Sequence, residues 1–459
     1  MFVKKLLLPA LISLLAACTT TTTPKHPLID ASVKGDIRQF GGATRLKNEH
    51  APAVKHVILF IGDGTSDSEI TIARNYVEGA SGYFKGIDAL PHTGSYTTYS
   101  INKDRTIDYV TDSAASASAW ATGIKTYNGA IGVDLQQKPR ESILALAKKA
   151  GYATGDVTTT EIQDATPAAL VAHVSHRKCY SPSSTAKLCP NEALENNGLG
   201  SISEQLLDAR PDVTLGGGYA SFEETARAGK YKGQTLLAQA QDKGYQVVTD
   251  RQGLDSITQA NQNKPLLGLF AQGNLPVRWT GPQAVQGGSE MAAQRCQNNP
   301  EMTASTPSLK TMTEKAISLL EQNKKGFFLQ VESGSIDKQN HLANPCGQIG
   351  ETVAFDEAIQ AGLAFAKTHP DTLIIVTGDH AHASQIIPTD SPSPGKTARL
   401  LTQDNSPMVV NYATSTGSSQ EHTGSQVRTA AYGPGAEQVS GLLDQTDMFF
   451  IMKNALKIK

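Results

Sequence analysis

The sequence lacks three patterns that would each assign the protein to a broad class. No long basic run stands out in a chain of 459 residues with 41 Lys and Arg, 43 Asp and Glu and a net charge of -2, which argues against a nucleic-acid-binding surface. No Cys-x2-Cys pair occurs among the five cysteines, which argues against a structural zinc held by sulfur. The apolar run at residues 6–17 is too short to span a bilayer as a helix.

The same apolar run follows Lys4 and Lys5, and together they predict an export signal peptide. It leads into Leu15-Ala16-Ala17-Cys18, which resembles the lipobox of bacterial lipoproteins, where cleavage before the cysteine leaves its thiol to carry lipid. Residues 1–18 are interpreted as this signal, and residues 19–50, with their run of threonines, as a polar tether and N-terminal arm. An ordinary secretory peptide cut nearby is the alternative.

The four cysteines other than Cys18 predict two disulfides, because an even number in an exported protein is typical of a disulfide framework. Three pairings are possible. Proximity along the chain favours Cys179 with Cys189 and Cys296 with Cys346.

Continuous apolar runs of strand length, at residues 57–61, 327–331 and 372–377, alternate with helical patterns such as 141–149 and 308–322. This alternation predicts a mostly parallel sheet covered by helices on both faces. No internal repeat or long linker divides the chain, and we expect residues 212–307 to add further sheet and peripheral elements to the same domain.

Each of these three strands runs into an acid, namely Asp63, Glu332 and Asp379. Ligands of such sheets bind beyond the carboxyl ends of the strands, so we expect the three acids to meet at one edge. Buried carboxylates are costly unless a cation compensates their charge. The pattern therefore predicts a metal site.

Several histidines lie where they could act as further ligands of the predicted metal site. Asp337 and His341 lie four residues apart, which places them on one face of a helix. His380 and His382 follow the third strand, and His422 lies in a Ser- and Gly-rich loop. Mixed imidazole and carboxylate ligands suit zinc, whereas an oxygen set such as Asp63, Glu332 and the Thr166 hydroxyl suits magnesium.

The segment Asp112-Ser113-Ala114 places a hydroxyl beside a carboxylate where an alanine-rich helix is predicted to begin. Unpaired backbone N–H groups and the helix dipole favour an anion at that point, so an anion held against Ser113 would occupy a phosphate-sized site. A simple helix cap is the ordinary alternative for such a segment.

Together these residues resemble the bacterial alkaline phosphatase family, of the periplasmic enterobacterial type, and the likeness covers nearly the whole chain after about residue 50. The segments that carry it include Gly62-Asp63-Gly64, Asp112-Ser113-Ala114, Gln163-Asp164-Ala165-Thr166-Pro167, Gln330-Val331-Glu332 and Ser419-Gln420-Glu421-His422-Thr423-Gly424-Ser425.

The resemblance implies a three-layer α/β/α sandwich that hydrolyses small phosphate monoesters through a phosphoserine at Ser113, with two Zn²⁺ and one Mg²⁺ per subunit of a homodimer. Arg177 would bind the phosphate, and Asp112, Asp164, Lys338 and His382 would support the site. The implied ligands are Asp337, His341 and His422 for one zinc, Asp63, Asp379 and His380 for the other, and Asp63, Thr166 and Glu332 for the magnesium.

The chain departs from the family pattern at Ser333-Gly334-Ser335, at Gly378 and at Asn340, which stands where an acid is common. A phosphodiesterase or sulfatase of the same superfamily, or a lipid-tethered protein that binds phosphate or metal without turnover, are the alternative functions. We expect residues 51–459 to form one catalytic domain in the periplasm, held to the outer membrane only through a lipidated Cys18.

Overall fold

The computed structural model describes residues 53–458. The predicted signal peptide, Cys18 and the whole of the predicted tether and arm lie outside these residues, so their interpretation stays a prediction. Its strands are β1 (His56–Gly62), β2 (His92–Thr97), β3 (Ser100–Ile101), β4 (Ile107–Asp108), β5 (Ala153–Glu161), β6 (Val213–Gly217), β7 (Gln246–Val248), β8 (Leu266–Leu269), β9 (Trp279–Thr280), β10 (Val285–Gln286), β11 (Gln297–Asn298), β12 (Phe327–Ser333), β13 (Thr372–Gly378), β14 (Ser384–Ile387), β15 (Lys396–Leu401), β16 (Pro407–Tyr412), β17 (Val427–Tyr432) and β18 (Gly441–Asp444).

The helices connect these strands over the two faces of the sheet. They are α1 (Asp67–Glu78), α2 (Ser113–Thr122), α3 (Ile143–Lys149), α4 (Ala165–Ala168), α5 (Pro182–Leu188), α6 (Ile202–Ala209), α7 (Tyr219–Glu223), α8 (Leu236–Asp242), α9 (Arg251–Ser256), α10 (Leu309–Leu320), α11 (Ser335–His341), α12 (Pro345–Thr368) and α13 (Gln445–Ala455). Among residues 53–458, no helix combines the length and the apolar character needed to cross a bilayer.

Ten strands form one large sheet in the order β18-β2-β17-β13-β1-β12-β5-β6-β8-β7. All neighbours pair in parallel except β17, which is antiparallel to both β13 and β2. The prediction of a mostly parallel sheet is confirmed, and residues 212–307 contribute β6, β7 and β8 to it, as expected.

Successive side chains of β1 point into two separate cores, one on each face of the sheet. Leu59 and Ile61 pack in the core that contains Trp120 of α2. Ile58 and Phe60 pack in the core beneath α10 and α12. A strand buried on both faces has no polar side to show, which explains its continuous apolar sequence. The fold is the predicted α/β/α sandwich.

Two disulfides join Cys179 to Cys189 and Cys296 to Cys346. These are the pairings that proximity favours, so that prediction is confirmed.

Candidate metal and phosphate site

The three strands that end in acids lie side by side at the centre of the sheet. Strand β1 is flanked by β12 and β13, and Gly62 is in register with both Ser333 and Gly378. The carboxyl ends of the three strands therefore meet, and the acids that lie at or just beyond those ends, Asp63, Glu332 and Asp379, are each no more than 1% exposed.

Helix α2 brings Ser113 to this edge. The Asp112 carboxylate accepts a hydrogen bond from the backbone N–H of Ala115 at 2.9 Å and so caps the helix. The Ser113 hydroxyl oxygen lies 3.3 Å from Asp63 Oδ1 and 3.2 Å from His380 Nε2. Asp112 is thus the helix cap, and Ser113 is the first residue of the helix, so its role as the nucleophile stays a prediction.

Two groups of side chains have ligand atoms close enough to share a cation. One group is Asp337, His341, His382 and His422, and the other is Asp63, Asp337 and His380. Asp379 Oδ2 also lies 3.2 Å from His380 Nε2. The structure thus brings together the predicted zinc ligands, and it differs from the sequence interpretation in placing Asp337 in both groups and His382 in the first.

Hydrogen bonds to the backbone fix which nitrogen of each histidine faces the cluster. The Nδ1 of His422 bonds to the carbonyl of Thr111 at 3.1 Å, and the Nδ1 of His341 bonds to the carbonyl of Gln420. A carbonyl only accepts, so these neutral rings carry the proton on Nδ1 and offer a lone pair at Nε2.

His382 has the opposite arrangement. The backbone N–H of Ala383 donates to its Nδ1 at 2.8 Å, so the neutral ring carries its proton on Nε2. That atom lies 3.2 Å from Asp337 Oδ1. A protonated Nε2 is not a metal ligand, and neither this nitrogen nor Asp337 Oδ1 has a hydrogen-bond partner among the described residues.

The open side of the site carries fixed positive charge. Arg177 Nη1 donates to Asp112 Oδ2 and its Nη2 donates to Asp164 Oδ1, both at 3.1 Å. Lys338 Nζ lies 3.0 Å from Asp164 Oδ2 and 3.4 Å from Asp63 Oδ2. These groups line a cleft of about 480 Å³ together with Ser113, His341 and His422.

Comparison with known proteins identifies this arrangement. A sequence model of the family described as alkaline phosphatase matches residues 54–418 and 396–458. The chain is 59% identical over 453 residues to an alkaline phosphatase of Escherichia coli (strain K12), covering 96% of both chains. The chain belongs to the alkaline phosphatase family.

Two further proteins support this assignment. Alkaline phosphatase H of Pseudomonas aeruginosa (strain UCBPP-PA14) is 57% identical over 443 residues, covering 94% of this chain and 93% of the relative. The crystal structure of Thermus thermophilus alkaline phosphatase superposes with a TM-score of 0.67 at 26% identity, covering 90% of this chain and 94% of that one. The protein is therefore a phosphatase that hydrolyses phosphate monoesters.

Membership of the alkaline phosphatase family implies a divalent metal cofactor, and the residues present fit one. Asp337 Oδ1, Asp379 Oδ2 and Thr166 Oγ1 are buried without a hydrogen-bond partner among the described residues. Buried oxygens of this kind are costly unless something else satisfies them. Cations bound at these oxygens would do so.

The raised pKa values of the buried carboxyl groups also indicate a bound cation. Burial, and then the charge of Asp337, raise the pKa of Asp63 to about 6, while burial and the charge of Asp63 raise the pKa of Glu332 to about 8. Burial also raises the pKa of Asp379 well above its ordinary value. Acids this close together need a cation to remain ionised at neutral pH.

Two of the residues at which the chain departs from the family pattern make hydrogen bonds to backbone carbonyls. Asn340 is fully buried, and its Nδ2 donates to the carbonyl of Ile336 at 3.1 Å, within its own helix. The Ser333 hydroxyl donates to the carbonyl of Glu351 at 3.1 Å.

The sequence analysis did not identify two residues that donate hydrogen bonds to the carboxylates of the site. The Thr158 hydroxyl donates to Glu332 Oε2, and the Tyr180 hydroxyl donates to Asp164 Oδ1 at 2.8 Å. The pairing of β5 with β12 offers a partial signal for Thr158, which is in register with Glu332. Nothing in the sequence around Tyr180 indicates its contact with Asp164.

Proposed function

We propose that Ser113 is the nucleophile of this phosphatase and that it forms a phosphoserine. The observation that carries the proposal is the position of its hydroxyl, 3.3 Å from Asp63 Oδ1 and 3.2 Å from His380 Nε2 at the start of a helix. Ser113 Oγ loses its proton and bonds to phosphorus, and the bond from phosphorus to the ester oxygen breaks. The leaving oxygen takes up a proton and departs as the alcohol. Water then hydrolyses the phosphoserine to inorganic phosphate.

Two Zn²⁺ and one Mg²⁺ fit the ligand sets. Asp337, His341 and His422 would hold one zinc, and Asp63, Asp379 and His380 the other. Asp63, Thr166 and Glu332 would hold the magnesium. Such cations supply Lewis acidity and positive charge next to phosphate oxygens.

Arg177 is the residue proposed to bind the phosphate. Its planar guanidinium matches two phosphate oxygens, and its ion pairs with Asp112 and Asp164 hold that plane at the mouth of the cleft. Lys338 stands on the other side of Asp164 and acts on the phosphate through water. His382 keeps Asp337 oriented.

The test is hydrolysis of an aryl phosphate by the protein lacking residues 1–18, supplied with zinc and magnesium. We expect Ser113→Ala to abolish turnover, and a chelator to abolish it in the unaltered protein. Ser116→Ala is the matched control, because its hydroxyl lies one turn further along α2 and bonds to the Ser113 carbonyl at 3.3 Å. Full hydrolysis by a folded Ser113→Ala protein would refute the assignment.

We further propose that the enzyme is exported to the periplasm, forms a homodimer there and is held to the outer membrane through a lipidated Cys18. The lipobox-like Leu15-Ala16-Ala17-Cys18 and the two disulfides support export. Mass spectrometry of the mature protein should find an acylated cysteine at the N-terminus, and sedimentation of the protein lacking residues 1–18 should give twice the mass of one chain. A free N-terminus at another residue would refute the anchor.

A further inference from the structure

Asp164 contacts two of the three cationic side chains that line the cleft, Arg177 and Lys338, through different oxygens. Its Oδ1 accepts from Arg177 Nη2 at 3.1 Å, and its Oδ2 lies 3.0 Å from Lys338 Nζ. The residue is 5% exposed. Burial alone would raise the pKa of this carboxyl, but Lys338 and Arg177 hold the pKa well below its ordinary value. The position of Asp164 therefore sets the positions of both cations.

Two further donors reach Asp164 Oδ1, the backbone N–H of Ala165 at 2.9 Å and a side-chain hydroxyl. The hydroxyl of Tyr180, which is partly buried, donates to Asp164 Oδ1 at 2.8 Å. Lys178 Nζ in turn donates to the Tyr180 hydroxyl at 3.3 Å. Because an ammonium group can only donate, the phenolic hydrogen is left to point at Asp164.

The fold holds Tyr180 in place independently of Asp164. Its carbonyl accepts from the backbone N–H of Ser203 at 3.1 Å and from the Ser203 hydroxyl at 2.7 Å, at the start of α6. The preceding residue, Cys179, is joined to Cys189. These contacts hold Tyr180 in place, so its hydroxyl can help to orient Asp164.

We propose that Tyr180 is a positioning residue for phosphate binding, which acts on Arg177 and Lys338 through Asp164. The inference rests on the proposed function of Arg177. The hydroxyl stabilises part of the negative charge on Asp164 Oδ1, the oxygen that Arg177 also contacts, and so leaves more of the guanidinium available to a phosphate. Without the hydroxyl, Asp164 pairs more strongly with Arg177 and is less well oriented, and both effects weaken phosphate binding.

The first test measures the dissociation constant of inorganic phosphate by calorimetry on the metal-loaded enzyme. We expect Tyr180→Phe to raise this constant about threefold to tenfold, the range for loss of one ordinary hydrogen bond, because the hydroxyl acts on the phosphate only through Asp164. The kcat/KM for an aryl phosphate should fall with it, while kcat falls less. Tyr152→Phe is the matched control, since its hydroxyl also makes a 2.8 Å hydrogen bond, to the carbonyl of Leu456. It should leave the phosphate constant unchanged.

A double-mutant cycle tests the route through Asp164. In an Asp164→Ala background, Tyr180→Phe should change the phosphate constant by less than about twofold. Equal effects of Tyr180→Phe in both backgrounds, or an unchanged constant in the single variant with normal zinc content, would overturn the proposal. Failure of the proposed role of Arg177 is separable, because then Arg177→Ala would leave the phosphate constant unchanged in the otherwise unaltered enzyme.

Discussion

Replacing His56 by phenylalanine should remove a pH-dependent loss of stability. His56 begins β1 and is 5% exposed. Its ring lies 4.5 Å from that of Phe327 and 5.3 Å from that of Phe365, and its Nδ1 has no hydrogen-bond partner among the described residues. Burial lowers its pKa from 6.5 to about 4, against the opposing attraction of Asp371.

The sign of the effect follows from proton uptake. A histidine whose pKa is depressed in the folded state binds its proton more readily when unfolded, so its contribution to stability is fully present above pH 6.5 and is lost as the pH falls towards 4. Between pH 8 and pH 5 this shift corresponds to about 2 kcal/mol, and residual solvent contact reduces it to about 1 to 2 kcal/mol.

Urea unfolding of the chelated protein, with its disulfides intact, is the assay. The free energy of unfolding should fall between pH 8 and pH 5 by about 1 to 2 kcal/mol more for the unaltered protein than for His56→Phe. His56→Asn, which cannot take up a proton either, should behave like His56→Phe. Comparing variants at each pH cancels the titration of every other group. Parallel losses in all three proteins would show that His56 is not the group responsible.

Three further substitutions test the site. Asp63→Ala should lower both zinc and magnesium content by elemental analysis, and by more than Thr166→Ala does, whereas full occupancy would refute a shared ligand. Asp112→Ala removes a helix cap and a contact with Arg177. The free energy of unfolding measured in urea should therefore fall by about 1 kcal/mol, and inhibition by phosphate should weaken. Unchanged inhibition would refute a role of this contact in phosphate binding. Gly64→Ala places a methyl 3.0 Å from Asp337 at a φ of +62°, so zinc content should fall, and normal content would show that the loop relaxes.

The central part of the site was predictable because its signals are local. A buried parallel strand is a continuous apolar run, and an acid directly after it is visible in the sequence. Asp63, Glu332 and Asp379 could therefore be placed at one sheet edge before any contact was known. Asp337 and His341 were predictable for a similar reason, since helical spacing alone puts them on one face.

The remaining features depend on contacts between distant parts of the chain. The role of Tyr180 depends on a 2.8 Å contact with a residue on another element, and nothing in its neighbours indicates it. The protonation of His382 is set by the backbone N–H of Ala383, a detail of local conformation that composition does not encode. The unusual surroundings of His56 arise from α12 packing against the sheet, so the sequence shows only a histidine at the start of a strand.

The central position of β1 has a consequence for when activity can appear. Its neighbours β12 and β13 lie more than 250 residues further along the chain, and His422 comes later still. A chain emerging from the ribosome thus contains Asp63 early but cannot complete either ligand group until almost all of it has been made. Pairings this distant are slow to form, so a chain kept unfolded during export would acquire its metals and its activity only after it reaches its destination.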